Sequence, residues 1–107
     1  MNHTDLQRFL SDPAALGRTT TLFRENGLRI LLLHLKPGEQ IPEHQTRGAI
    51  TVHCVQGEAT FSIGEESVVL KPASLIGVPP VAPHSVIARQ DTFLLVTLWE
   101  QVQSEPA

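Results

Sequence analysis

Residues 37–58 of this 107-residue chain read PGEQIPEHQTRGAITVHCVQGE. Turn-forming Pro and Gly residues stand near both ends, and a β-branched run from Ala49 to Val55 follows Gly48. Short apolar runs bounded by turn residues are typical of strands. The stretch therefore predicts a strand over 49–55 that ends in a sharp turn at Gln56-Gly57-Glu58.

The sequence on both sides of this stretch shows the same alternation of short strands and turns. From Thr19 onward, Gly, Pro or Asn interrupts the aliphatic runs at short intervals. Asn26-Gly27 supplies the positive φ angles that a tight hairpin turn needs. We predict an all-β domain whose strands cover residues 19–24, 28–35, 49–55, 59–63, 67–70, 74–78, 84–88 and 92–99.

Residues 1–17 have a helical character instead. Thr4-Asp5-Leu6-Gln7 has the form of a capping box, and Leu6, Phe9 and Leu10 share one helical face. A second short helical turn is expected over 11–17. We predict a helical N-terminal extension at 1–17, a single domain at 18–100 and a C-terminal tail at 101–107.

Length and composition exclude several classes of protein. A formal charge of -3 and only 8 Lys and Arg residues give no basic stripe, so nucleic acid is not expected as a partner. The longest apolar run, 30–33, is too short for a membrane span, and the N-terminus lacks a cationic signal region. The single Cys54 excludes an internal disulfide and a multi-cysteine zinc site. We expect a cytoplasmic protein.

Two of the predicted strands are apolar on both faces. In 28–35 and 93–99, hydrophobic residues occur at both odd-numbered and even-numbered positions, and therefore on both faces of each strand. One face can meet the core of a small domain, and the other needs a cover. Either the helical extension or a second subunit could provide it, and we expect a homodimer.

The stretch 37–58 resembles the first motif of the cupin family, G-x5-H-x-H-x3-4-E-x6-G. Gly38, His44 and Gly57 fall in register with this motif. Thr46 stands where the second His would be, and Ile50 stands where the Glu would be. The resemblance thus retains the fold-defining glycines and one of the metal-ligand positions.

A second stretch is similar to the other cupin motif, G-x5-P-x-G-x2-H-x3-N. His84 takes its ligand position after a proline-rich connection at 79–83, whereas Ser74 replaces the usual acidic residue and Ala88 replaces the Asn. The resemblance covers about residues 28 to 99. It implies a single-domain cupin, an RmlC-like jelly-roll β-barrel with a short helical N-terminal extension and a degraded metal motif.

In the family, histidines and a Glu from neighbouring strands converge on a divalent transition metal inside the barrel. Here the resemblance leaves His44 and His84 as metal ligands, fewer than the three that catalytic sites usually have. Period-two alternation places four more side chains on the face of His44. We predict an interior ligand-binding cavity lined by His44, Thr46, Ile50, Val52, Cys54 and His84.

Other residues could replace the missing ligands. Cys54 is a soft ligand on the predicted inner face, although a free Cys is more often a small buried apolar residue. A bulge could also bring in Glu43, Gln45 or His53, although alternation points His53 outward. Arg47, expected near the cavity mouth, could bind a carboxylate. For His34, a buried and hydrogen-bonded imidazole is the expected state.

These features favour a module that binds a small organic molecule in its barrel cavity, with the metal site reduced or lost. The alternative is a metal-dependent cupin enzyme, dioxygenase-like or isomerase-like, in which His44 and His84 are ligands. A metal-free enzyme with one histidine as general base is also open. A third class is a scaffold whose barrel is filled by side chains.

Overall fold

The computed structural model describes residues 1–13 and 17–99. Within these ranges one short helix, α1 (Gln7–Ser11), precedes nine strands. No helix there has the length and hydrophobicity to cross a membrane. The strands are β1 (Thr19–Glu25), β2 (Leu28–Leu35), β3 (Gln40–His44), β4 (Ile50–Gln56), β5 (Ala59–Ile63), β6 (Glu66–Leu70), β7 (Leu75–Val78), β8 (His84–Ala88) and β9 (Thr92–Trp99).

The strands form two antiparallel sheets around one core. The five-stranded sheet has the order β1-β2-β9-β4-β7, and the four-stranded sheet has the order β3-β8-β5-β6. Alternate side chains of both sheets meet in a single cluster of buried residues that includes Leu33, Val52, Phe61 and Val86. The predicted all-β fold is confirmed.

The two central strands of the larger sheet are buried on both faces. β2 and β9 pair along their whole length. Leu33 and Leu94 belong to the inner cluster, whereas Leu32 and Phe93 are just as buried on the opposite face. On that outer face His34 stacks on Phe93, with ring centroids 4.4 Å apart, and its Nε2 lies 2.8 Å from Oδ1 of Asp91. His34 is thus a buried, hydrogen-bonded imidazole.

The N-terminal helix differs from its prediction. α1 follows Leu6, and no side chain caps it from that position. Oδ1 of Asp5 instead accepts a hydrogen bond of 3.0 Å from the backbone N–H of Gln7. The predicted capping box at Thr4 is therefore wrong, because the helix begins two residues too late for it. The second predicted turn at 11–17 falls partly, and the tail at 101–107 entirely, outside the described residues.

The edge strand β3 was missing from the predicted set. Its partner in the sheet is β8, and a bulge sets two residues, Pro42 and Glu43, opposite Ser85. Proline has no N–H for a ladder, so an edge strand with a bulge is where a sheet tolerates it. Pairing resumes after the bulge, where His44 lies directly opposite His84.

Two glycines allow the backbone to pass close to β9. Gly57 has a φ of +93°, and a Cβ there would overlap the carbonyl oxygen of Asp91. A Cβ on Gly48 would overlap the carbonyl oxygen of Trp99. Only glycine fits at either position without a backbone shift. Gly48 consequently fixes the path of the turn that joins β3 in one sheet to β4 in the other.

Candidate functional site

The site is built around two histidines on adjacent strands. His44, at the end of β3, lies opposite His84, at the start of β8. Their rings meet edge to face, with centroids 4.3 Å apart and an interplanar angle of 62°. Phe61 of β5 stacks on His84 at 5.8 Å. His44 is exposed, whereas His84 is only 3% exposed, so the pair extends from the surface into the barrel.

Each imidazole is held by a backbone carbonyl two residues earlier. Nδ1 of His44 lies 3.0 Å from the carbonyl oxygen of Pro42, and Nδ1 of His84 lies 2.8 Å from that of Ala82. A carbonyl oxygen can only accept a hydrogen bond, so Nδ1 carries the proton in both rings. In a neutral imidazole with the proton on Nδ1, Nε2 is an acceptor.

Nε2 of His84 stands out as an unpaired polar atom. It is buried, and none of the residues in 1–13 and 17–99 hydrogen-bonds it. Burial lowers the pKa of His84, the hydrogen bond to Ala82 opposes this change, and the nearby His44 lowers the pKa further. His84 is therefore neutral at physiological pH. A buried acceptor without a partner costs free energy, which a hydrogen-bond donor on a ligand would recover.

The two histidines line a cavity of about 170 Å³ between the sheets. Its polar lining consists of the two imidazoles and three hydroxyl side chains, and its wall is otherwise aliphatic or aromatic. The exposed His44 marks a side on which the cavity reaches solvent. The lining residues are Thr19, Leu31, Leu33, Ile41, His44, Thr46, Ile50, Val52, Phe61, His84, Ser85, Val86, Leu94, Val96 and Leu98.

The structure brings five of the six predicted site residues to this cavity, namely His44, Thr46, Ile50, Val52 and His84. Their arrangement differs from the one that alternation suggested. His44 ends a strand of the smaller sheet and Ile50 begins a strand of the larger one, so they do not share a strand. They meet across the barrel because the turn at 45–49 carries the chain from one sheet to the other.

Cys54 does not line the cavity, which corrects its predicted place. It is fully buried in the core, and its Sγ lies 3.7 Å from the carbonyl oxygens of Gln56 and Gly57. A register shift in the pairing of β4 with β9 occurs just beyond it, at the turn. Burial raises the pKa of the thiol. Cys54 thus packs at the end of β4 as a small buried side chain.

In the part of the chain that the structure describes, no replacement for the missing metal ligands joins the histidine pair. Glu43 and Gln45 are exposed, and His53 belongs to the alternate set of β4 residues that faces away from the core. Within the described ranges, no three His, Cys, Asp or Glu residues lie close enough together to hold a metal ion. Two imidazoles do not fit a resident metal that requires three protein ligands.

Sequence reasoning missed most of the apolar wall. Leu31, Leu33, Leu94, Val96 and Leu98 line the cavity from the two central strands. Their alternation was visible in the sequence, but both faces of these strands are apolar. The inner face could therefore not be distinguished from the outer one.

A family model described as a cupin domain matches residues 31–99. Because the match spans more than half of the chain, the protein belongs to the cupin domain family. The matched region contains strands β3 to β9, most of β2 and both site histidines. No curated protein sequence matches the chain.

Solved structures share the fold at low sequence identity. A cupin superfamily protein from Desulfitobacterium hafniense has a TM-score of 0.74 at 20% identity, covering 78% of this chain and 76% of that one. A protein from Thermus thermophilus has a TM-score of 0.73 at 25% identity, covering 94% and 100%. An RmlC-like cupin from Shewanella frigidimarina has a TM-score of 0.74 at 19% identity, covering 79% and 77%. These similarities show the fold.

Proposed function

We propose that this cupin binds a small organic molecule in its barrel cavity and acts as a binding or sensing module. The observation that carries the proposal is the buried Nε2 of His84, which no described residue hydrogen-bonds, at a largely apolar cavity. Ligand sites typically combine an apolar wall with a few polar groups that fix orientation. The ligand that matches this wall is apolar and carries one hydroxyl or N–H donor for His84.

The cavity volume limits the size of this ligand. Dry protein cavities of about 150 Å³ are known to accept benzene. The cavity here is of similar volume, about 170 Å³. We therefore expect the buried part of the ligand to be about the size of one six-membered ring, with any further groups extending out of the cavity.

A pair of matched probes tests the donor requirement. Phenol and toluene have nearly the same shape, but only phenol can donate a hydrogen bond to His84. We expect phenol to bind the protein about five- to tenfold more tightly than toluene, as one buried hydrogen bond is worth roughly 1 to 1.5 kcal/mol. Isothermal titration calorimetry measures both affinities. Equal affinities for the two probes would contradict the proposal.

Two variants of His84 distinguish the contribution of its hydrogen-bond acceptor to binding from the contribution of its packing. His84→Leu removes the acceptor and keeps an apolar side chain, so the preference for phenol should disappear. His84→Gln retains a carbonyl oxygen and should keep part of that preference. Circular dichroism checks that both variants remain folded. An unchanged preference in folded His84→Leu would remove His84 from the site.

A metal-dependent cupin enzyme, dioxygenase-like or isomerase-like, is the second candidate. Its support is that backbone carbonyls hold Nδ1–H of His44 and His84, which is how metal-binding histidines are commonly oriented. Among the described residues no further donor joins these two imidazoles, so we assign no reaction step to a metal.

Elemental analysis distinguishes the two candidates. The protein is prepared without affinity histidines or chelators, beside a His44→Ala, His84→Ala double variant. The binding-module proposal expects no stoichiometric transition metal, even after reconstitution. Metal near one per chain that is lost in the double variant would establish the second candidate in its place.

A further inference from the structure

A second depression, which we call the arginine groove, lies beside the cavity. It shares the three residues Thr46, Ile50 and Leu98 with the cavity, so the two spaces have a common wall. The two spaces are therefore adjacent, and a molecule that occupied both would extend along these three residues. The groove is lined by Arg29, Thr46, Arg47, Gly48, Ile50, Leu98 and Trp99.

Arg29 continues the inner face of β2. It has the same parity as Leu31 and Leu33, which line the cavity, and it pairs with Leu98 of β9. Its Nε and Nη2 donate hydrogen bonds of 3.2 and 3.0 Å to Oγ1 of Thr21. These bonds orient the guanidinium, and Nη1 has no hydrogen-bond partner among residues 1–13 and 17–99. The apolar wall of the cavity thus ends in a positioned positive charge.

Arg47 lies on the turn at 45–49, which the surrounding backbone holds in place. Oγ1 of Thr46 donates a hydrogen bond of 3.0 Å to the carbonyl of Gly48, and the N–H of Val81 donates one of 2.8 Å to the carbonyl of Thr46. Gly48 passes directly over the carbonyl of Trp99. The exposed side chain of Arg47 therefore extends from a fixed base.

Neither arginine has an acidic partner in the part of the chain that the structure describes. The ion pairs found there join Arg18 to Glu39 and His34 to Asp91. No Asp or Glu of that part lines the cavity or the groove, although the chain as a whole has a net charge of -3. Two guanidinium groups without a carboxylate form a local environment that favours an anion.

We propose that the ligand of this cavity is a small carboxylic acid whose carboxylate binds in the arginine groove to Arg29 and Arg47. This inference rests on the proposed function, because it assigns the apolar body of the same molecule to the cavity and its hydroxyl to His84. Guanidinium groups recognise carboxylates through paired N–H donors, so the groove would select the acid over a neutral analogue.

A charged probe and its neutral analogue test the inference. 4-Hydroxyphenylacetate and 4-hydroxyphenylacetamide share the ring and the hydroxyl and differ in the carboxylate. We expect the acid to bind about tenfold more tightly than the amide at low salt, with the difference shrinking as ionic strength rises. Trp99, the only Trp in the chain, lines the groove, so its fluorescence reports binding together with calorimetry.

Arg47→Gln is the main variant, since Arg47 is exposed and its loss should leave the fold intact. It should remove most of the preference for the acid, and Arg29→Gln should do the same where it folds. Arg89→Gln is the matched control, because Arg89 donates to Oγ1 of Thr60 and lies outside both lining sets. The control should keep the full preference.

The outcomes separate this inference from the proposed function. Equal affinities for the acid and the amide, with the preference for phenol over toluene intact, would overturn the carboxylate assignment alone. A preference for the acid that persists in Arg47→Gln and Arg29→Gln would also overturn it. Failure of all four probes to bind would overturn the cavity proposal and this inference together.

Discussion

The chemistry of the site depends on a single buried imidazole. His84 is neutral because burial lowers its pKa, and its Nδ1–H is bonded to Ala82. Nε2 is consequently an acceptor in a place where few other groups are polar. The sequence predicted His84 as a site residue from the motif. The motif could not show that Nε2 would be the acceptor, because the ring is oriented by a backbone carbonyl and not by a motif residue.

The depressed pKa of His84 makes stability depend on pH. The unfolded chain takes up this proton near pH 6.5, whereas the folded chain takes it up only at lower pH. Between these values the unfolded state binds more protons, so stability falls as pH decreases, by at most about 1.4 kcal/mol per pH unit for one proton. Denaturant unfolding from pH 8 to pH 5 measures this loss. His84→Gln should lose less over this range, and an identical slope in the variant would contradict the assignment.

At the scale of elements, the turn at 45–49 and strand β3 create the site. β3 escaped prediction because Pro42 and the polar residues around it conceal its alternation. A bulge cannot be recognised from a single sequence, yet the bulge in β3 is what places His44 opposite His84. Because the turn carries the chain from one sheet to the other, odd–even alternation cannot be extended from His44 to Val52, even though it named the right residues. The motif glycines were a better guide. The positive φ of Gly57 and its close contact with β9 both require a residue without a side chain.

Gly48→Ala tests the close packing of this turn on β9. The added methyl group would overlap the carbonyl of Trp99, so the turn must move. We expect a loss of about 2 kcal/mol in the free energy of unfolding and weaker binding of phenol. Gly77→Ala is the control, because a Cβ there meets nothing within 4 Å. Chemical denaturation should show a change below about 1 kcal/mol for the control, and equal losses in both variants would refute this account of the turn.

At the scale of the whole molecule, strand pattern and motif together predicted the fold, because hydrophobic alternation and turn chemistry agree along most of the chain. The homodimer stays a prediction. In the single chain Leu32 and Phe93 are already buried on the outer face of the larger sheet, so a second subunit is not needed to cover them. The apolar surface left on that face includes Leu75, 68% exposed, and Trp99.

Light scattering coupled to size-exclusion chromatography tests the dimer. We expect a mass of twice the 11.7 kDa of one chain. Leu75→Asp places a charge on the exposed outer face and should yield monomers, since burying an unpaired charge at an interface is costly. Val81→Asp, at another exposed apolar position, should stay dimeric. A monomeric mass for the unmodified chain at high concentration would contradict the prediction.

Nitrogen-15 NMR of the His84 side chain tests the central claim most directly, because it reports the protonation of each ring nitrogen and its response to a ligand. The account predicts a neutral ring at pH 7 with the proton on Nδ1, and a change in the Nε2 resonance when phenol is added but not when toluene is added. A proton on Nε2, or an Nε2 resonance that stays unchanged at saturating phenol, would contradict it.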